Sequence, residues 1–428
     1  MSMQNLATAA VGDAQAADSR VGADAVHLQQ FAVRYEFPVV FTHALFDTAN
    51  PVLVDTLRRR EPDKRHRVAV FMEQGLASHW PGLARQIVCY AEHHGTGMQL
   101  VGAPELLPGG EQVKNDPSLV SRLQRRLCRM GIDRHSYVLA IGGGAFLDLM
   151  GFVAATTHRG LRHVRVPTTV LAQNDSGVGV KNGVNAFGLK NLLGCFAPPF
   201  AVLNDADFLR TLPRRERIAG MAEAVKVALI RDGAFFNWLE AHGAALAAGD
   251  DAALARLIRR CAELHMRQIG LGGDPFETCS ARPLDYGHWA AHKLESLSAH
   301  ALNHGEAVAI GLALDTRYSV QTGMLAHGVD DRVHALLRQL GFALWHPALD
   351  SRLPGGEPAL LRGLEDFREH LGGELTITLL RDIGVGEEVH HMDDAQISLA
   401  IDWLRQRDDS PWYPTMRLLR QKSPGDWS

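Results

Sequence analysis

Residues 137–190 constrain the fold more than any other stretch: they read YVLAIGGGAFLDLMGFVAATTHRG and then LRHVRVPTTVLAQNDSGVGVKNGVNAFGLK. An apolar run from Tyr137 to Ile141 meets Gly142, Gly143 and Gly144, after which Leu147, Met150, Gly151 and Val153 fall near one helical face, with Asp148 among them. That pattern predicts a strand, a tight turn and the start of a helix. Glycines at such a turn let the backbone approach a pyrophosphate, whose charge the amides of the helix N-terminus stabilise, so a dinucleotide is the natural ligand. The spacing is GGGxxxD rather than GxGxxG, and on its own it describes a plain turn equally well.

The flanking pattern decides the class of fold. Phe31 to Phe41 and Arg67 to Met72 read as strands with a helix from Val52 to Arg60 between them. A helix follows from Pro81 to His94, a short strand from Met98 to Val101, and a helix from Pro117 to Met130 leads into the strand at Tyr137. This alternation predicts an α/β domain with a doubly wound parallel sheet. His163 to Pro167 and then AVLND, from Ala201 to Asp205, add strands, with a long polar, glycine-rich loop between them. A loop of that length inside a compact domain usually has a task, and Asp175, Lys181, Asn182, Lys190 and Asn191 on it suit an anionic, hydroxyl-rich ligand. Glu111 and Lys114, in PGGEQVKND, stand at the carboxyl end of a strand, where such sheets bind ligands; a solvated surface loop is the plainer reading.

From Leu209 onward helical periodicity dominates, with helices expected at residues 216–231, 235–247, 252–268, 286–297 and 305–321 and more beyond. With 428 residues the chain is too long for one ordinary core. The expected division is a disordered tail over 1–25, a sheet domain over 26–208 and a mainly α-helical domain over 209–428. Charged residues make up 21% and the net charge is −4, so no concentrated basic footprint for nucleic acid is implied. Five scattered cysteines without CxxC spacing fit a reducing, cytoplasmic setting. The N-terminus has neither a basic segment followed by an apolar one nor a long apolar run, so neither a secretion signal nor a membrane anchor is expected.

The helical domain holds a metal constellation. His288 and His292 lie four apart, which sets both imidazoles on one helix face, His304 opens the next helix, and Glu223 and Lys226 share the helix GMAEAVKVALI. Two imidazoles and a carboxylate suit zinc and leave a coordination position for a substrate hydroxyl. A histidine pair at this spacing also arises by chance in a chain with 21 histidines, and His163, His390 and His391 read as structural.

The segments GGGAFLDLMGFVAAT, RVPTTVLAQNDSGVGVKNGVN, GLKNLLGCF, AEAVKVALI, LDYGHWAAHKLE and HGEAVAIG follow one another in an order that resembles the dehydroquinate synthase superfamily of sugar-phosphate cyclases, from about Phe31 to Asp393. The resemblance implies an NAD-binding domain, a helical domain with a divalent metal, Zn2+ or Co2+, an active site in the cleft between them, and a homodimer. Carried over by position, Glu223, His288 and His304 match metal ligands. Asp175, Lys181, Lys190, Asn191, Lys226 and His292 match residues around the substrate. The turn Gly142, Gly143, Gly144, with Asp148, Glu111, Lys114, Thr168, Thr169 and Lys190, matches the NAD site. Arg159 matches an arginine that reaches the substrate phosphate from the neighbouring subunit.

Departures from that pattern narrow the reading. Dehydroquinate synthases usually carry GGKTGVN where this chain has GVKNGVN, and an asparagine where Asp285 stands in PLDYGH. They also carry a lysine where LHMRQI offers His265 or Arg267, and a DKK segment where FREHLGG offers Arg368 or His370. A substrate carboxylate normally needs a cationic partner, so a rearranged basic set implies a different acid or none. GVKNGVN, DPFE and RPLDYGHW, the last with Arg282, resemble instead the sedoheptulose 7-phosphate cyclases of the 2-epi-5-epi-valiolone synthase type. The implied reaction is oxidation by NAD, loss of phosphate, return of the hydride, ring opening and an intramolecular aldol closure to a carbocycle. The other expectations are a dehydroquinate synthase, an NAD- and metal-dependent polyol dehydrogenase, and a non-catalytic binding relative.

Overall fold

The computed structural model describes residues 28–187, 189–277, 283–370 and 373–405; the side chain of His370 falls outside this description, as do the expected tail, Cys279 and Arg282. The chain comprises two units, Met1–Glu36 and Phe37–Ser428. In the first, residues 28–36 form neither helix nor strand.

The second unit begins with β1 (Val39–Thr42), α1 (Val52–Arg58), β2 (His66–Glu73), α2 (Gly75–His79), α3 (Leu83–His93), β3 (Met98–Leu100) and β4 (Glu105–Leu107). It continues with α4 (Pro117–Arg129), β5 (Tyr137–Gly142), α5 (Gly144–Thr156) and β6 (Arg162–Pro167), then a hairpin of β7 (Lys181–Ala186) and β8 (Leu189–Phe196), then β9 (Ala201–Asp205). The sheet runs β1-β9-β6-β5-β2-β3, β4 pairs with β2 as well, and every pairing is parallel. Alternate residues of each strand go to opposite faces. Val68, Val70, Met72, Leu139 and Ile141 pack with α1 and α3, whereas Ala69, Phe71, Val138 and Ala140 pack with α4 and α5. That division is what a doubly wound sheet requires.

Two expectations fail here. The strand expected over Phe31 to Phe41 exists only at Val39–Thr42, because those are the residues for which β9 offers a partner; alternating apolar residues without a neighbour make no ladder. The polar stretch after β6 is not an open loop. It turns through a π-helical segment at Ala172–Ser176 and then forms the β7–β8 hairpin. Arg165, fully buried on β6, holds it in place by donating to the carbonyls of Gly177 (3.0 Å) and Gly179 (2.8 Å) and to Asn182 Oδ1 (2.6 Å).

The helical part contains α6 (Arg214–Ala219), α7 (Met221–Arg231), α8 (Gly233–Ala248), α9 (Asp251–Leu271), α10 (His288–Leu297), α11 (His304–Gln321), α12 (Val329–Leu340), α13 (Arg362–His370) and α14 (Asp394–Arg405). An antiparallel hairpin, β10 (Ile377–Asp382) with β11 (Val385–Val389), was not expected from helical periodicity. α7 is buried along nearly its whole length and sits at the centre of one apolar core with α8 to α12. No helix among the described residues is long and apolar enough to cross a membrane.

Candidate active site

The cofactor end is built at the carboxyl edge of the sheet. Gly143 caps α5 with extended backbone and no side-chain cap. A Cβ on Gly142 would lie 2.6 Å from the Phe146 ring and one on Gly144 2.5 Å from Ser176 Oγ, whereas one on Gly143 would stand 3.4 Å from the Thr169 methyl group, in ordinary contact. Gly142 is thus required by packing, a methyl group on Gly144 would ask only that the Ser176 hydroxyl turn away, and the middle glycine leaves a cradle at the helix N-terminus that fits a pyrophosphate. Thr168 donates its amide to Gly142 O (3.0 Å). Glu73, at the end of β2, accepts from the amides of Gly143 (2.7 Å) and Gly110 (3.1 Å).

Glu111 and Lys114 lie in a 3-10 turn, and the surface-loop reading fails: Lys114 is 2% exposed, donates to Asp148 (3.1 Å) and to Asn191 Oδ1, and faces Glu111 at 3.7 Å. Asn185 ties the hairpin to the same turn, donating to Glu111 (3.3 Å) and Asn115 (2.7 Å) and accepting the Asn191 amide (2.8 Å).

The metal end is set by three helices. Glu223 on α7 is fully buried, and its Oε1 has no hydrogen-bond donor. That oxygen faces His304 Nε2 at 3.4 Å and His288 Nε2 at 3.7 Å. Each imidazole is oriented from its far side: His288 Nδ1 lies 3.1 Å from Tyr286 O and His304 Nδ1 3.4 Å from Glu295 Oε2. With Nδ1 carrying the proton toward those acceptors, both Nε2 lone pairs converge on an orphaned carboxylate oxygen, a donor set that fits a zinc-sized cation. Without a cation, burial and then the nearby Lys226 ammonium push the His288 pKa down to about 4. Burial also opposes charge on His304, but Glu295 and Glu223 raise its pKa to about 9.

Around this centre the structure gathers most of the substrate candidates. Lys226, one turn after Glu223, pairs with its Oε2. Lys190 on β8 meets both oxygens of Glu295 (2.9 and 3.2 Å), and Lys181, half-exposed on β7, meets Glu277 (2.6 Å). Asp175 accepts from His265 Nδ1 at 2.7 Å, and the His292 ring lies 5.5 Å from that of His288. Burial works against charge on Asp285, but Lys181 and His288 hold its carboxyl below the usual range. Asn191 sits at the cofactor end rather than beside the metal, through its contact with Lys114.

Arg159 is not brought in. It is exposed in the turn between α5 and β6, at the edge of the sheet opposite the glycine turn. Arg267 is exposed on α9, and Arg368 pairs with Glu365 on α13 (2.6 Å).

Sequence reading missed Glu73, Asn185, Glu277 and Glu295. Asn185 and Glu277 end the segments GVKNGVN and DPFE without being singled out there, and the other two carried a signal of position. Glu295 lies three after His292 and seven after His288, on the same helix face, and Glu73 ends a strand at the edge of the sheet where ligands bind.

Comparison with known proteins agrees with this architecture. Residues 105–219 match the family model for the 3-dehydroquinate synthase N-terminal domain, and residues 220–354 that for its C-terminal domain. The chain is 36% identical over 372 residues to a 3-dehydroquinate synthase of Xanthomonas campestris pv. campestris, covering 81% of this chain and 98% of that protein. A 2-epi-5-epi-valiolone synthase of Streptomyces hygroscopicus subsp. jinggangensis, solved with NAD+ and Zn2+ bound, superposes with a TM-score of 0.78 at 29% identity, covering 89% of this chain and all of that one. A 2-deoxy-scyllo-inosose synthase structure shares the fold, with a TM-score of 0.68 and 24% identity over 85% of this chain and 96% of that one.

Proposed function

Because the chain belongs to the 3-dehydroquinate synthase family of phosphate-eliminating sugar-phosphate cyclases, we propose that it closes a heptulose 7-phosphate to a carbocycle, with sedoheptulose 7-phosphate as substrate. NAD in the glycine cradle and a divalent cation, zinc or cobalt, at Glu223, His288 and His304 would respectively take and return a hydride and polarise the oxidised oxygen.

The protein's own residues supply charge and position. The ammonium groups of Lys181, Lys190 and Lys226 line the site and neutralise a phosphate ester, while the His265–Asp175 pair orients hydroxyl groups. His292, beside His304, is placed to hold a proton near the reacting carbon. Fixing both ends of one molecule for the closing step is worth roughly 7–11 kcal/mol in effective molarity. In this reading Arg159, remote from its own chain's site, serves the site of a second copy in a homodimer.

The observation that carries the substrate is the acidity around Lys181. Its ammonium is paired with Glu277, and the ionised Asp285 stands close by. Carboxylates there accept hydrogen bonds from a hydroxymethyl ketone and repel a substrate carboxylate. The second reading, a 3-dehydroquinate synthase acting on 3-deoxy-arabino-heptulosonate 7-phosphate, is favoured by the names of the sequence relatives. Inorganic phosphate release from zinc-loaded protein with catalytic NAD, measured on the two sugars side by side, decides between them. Release from sedoheptulose 7-phosphate alone is expected; release from the carboxylate sugar alone would overturn the assignment.

A further inference from the structure

His304 belongs to two overlapping triads, Glu223–His288–His304 and His292–Glu295–His304, in each of which the donor atoms lie within 4.8 Å of one another. Only the first has a free carboxylate oxygen. In the second, both oxygens of Glu295 are engaged by the Lys190 ammonium, and Oε2 also faces His304 Nδ1. A cation set among the second triad would lie against that ammonium and have to displace it. The two nitrogens of His304 therefore have different tasks, Nε2 toward Glu223 and Nδ1 toward Glu295.

We propose that Glu295 is a positioning residue: it accepts the Nδ1–H of His304, so that the Nε2 lone pair is aimed at Glu223 Oε1, and with its remaining capacity it seats Lys190 beside the same centre. The other imidazole, His288, is oriented by a backbone carbonyl, which every sequence supplies; His304 depends on a side chain. Glu295 is 5% exposed and sits on α10, the helix that also carries His288 and His292. One carboxylate thus links a metal ligand to a substrate lysine on the β7–β8 hairpin, and its loss weakens the cation without removing a ligand. This inference rests on the reading of Glu223, His288 and His304 as the metal centre.

The test compares metal-stripped wild type with Glu295→Gln, Glu295→Asp, Lys190→Met and His288→Ala, measuring Zn2+ affinity by competition with a chromophoric chelator and recording the absorption of the Co2+ forms. Glu295→Gln is expected to keep one cation per chain, bound about 10- to 100-fold more weakly, with a shifted cobalt band. Glu295→Asp, which keeps the charge on a shorter arm, weakens it in the same direction and serves if the glutamine variant does not fold. Lys190→Met binds no more weakly than wild type, because removing an ammonium does not oppose a neighbouring cation. Wild-type affinity and an unchanged cobalt spectrum in both Glu295 variants would overturn the positioning role. So would complete loss of the cation in Glu295→Gln, as in His288→Ala, which would make Glu295 a ligand. Wild type binding no better than His288→Ala would instead overturn the metal centre itself.

Discussion

Lys226 places its ammonium on Oε2 of Glu223, one turn earlier on α7, with both side chains buried, so that only Oε1 is left for His288 and His304. Burial works against both charges. Even so, the Lys226 ammonium and then His304 hold Glu223 well below the usual carboxylate range, and Glu223 followed by Asp175 raises Lys226 above the usual lysine value. The pair prepares the carboxylate for a cation by keeping it ionised before one arrives.

Lys226→Met leaves that carboxylate buried without its partner. Metal-free protein should lose about 3–5 kcal/mol of stability, and zinc should restore more to the variant than it adds to wild type. Urea unfolding with and without zinc measures both, and equal stability of the two metal-free proteins would contradict the pairing.

The glycine turn separates packing from binding. Gly142→Ala drives a methyl group into Phe146 and should cost about 1–3 kcal/mol in stability. Gly143→Ala meets only ordinary contacts and should unfold like wild type while binding NAD far more weakly, because its methyl group fills the cradle. Thermal melts paired with NAD titration by fluorescence distinguish them, and unimpaired NAD binding by Gly143→Ala would refute the assignment.

Zinc affinity should follow the proton on His304. A cation needs the Nε2 lone pair, and in the metal-free protein that imidazole keeps its proton up to about pH 9. Affinity should climb about tenfold per pH unit below that value and level off above it. His288, already neutral above about pH 4, adds no slope in this range. In the absence of metal the same raised pKa gives His304 a stabilising contribution that is complete below its ordinary value of 6.5 and is lost as the pH rises through about 9. Calorimetric titration with zinc from pH 6 to pH 10 checks the slope, and a flat profile would show that no proton is displaced.

Asp285→Asn removes a negative charge close to Lys181. It should raise phosphate release from the carboxylate-bearing sugar, relative to sedoheptulose 7-phosphate, by at least about tenfold. An unchanged ratio of kcat/KM values would show that Asp285 does not select the substrate.

What the sequence disclosed divides along physical lines. The turn at Gly142, the helices after Leu209 and the His288–His292 pair are local periodicities, and local patterns survive in a one-dimensional reading. Glu223, by contrast, is one carboxylate on an apolar helix, a candidate by residue type that only the family pattern matched to a ligand position. The β7–β8 hairpin read as a loop because β8 leaves Leu189, Leu192 and Leu193 exposed, and so does not show the alternation of a strand with one face in a core. Lys114 looked solvated in its polar surroundings; its burial depends on Asp148 and Asn191, which lie 34 and 77 residues away.

The hairpin also behaves as a ruler. Lys190 and Asn191 are neighbours, yet one is tied through Glu295 to the metal end and the other through Lys114 to the nucleotide end. A slip of one residue would break both ties: in one direction Glu295 would receive the Asn191 amide and Lys114 would meet Leu192, in the other Glu295 would meet Leu189 and Lys114 the Lys190 ammonium. An insertion or deletion between Lys190 and either of its flanking contacts would therefore cut one of the two ties, which a point change elsewhere on the strand would not.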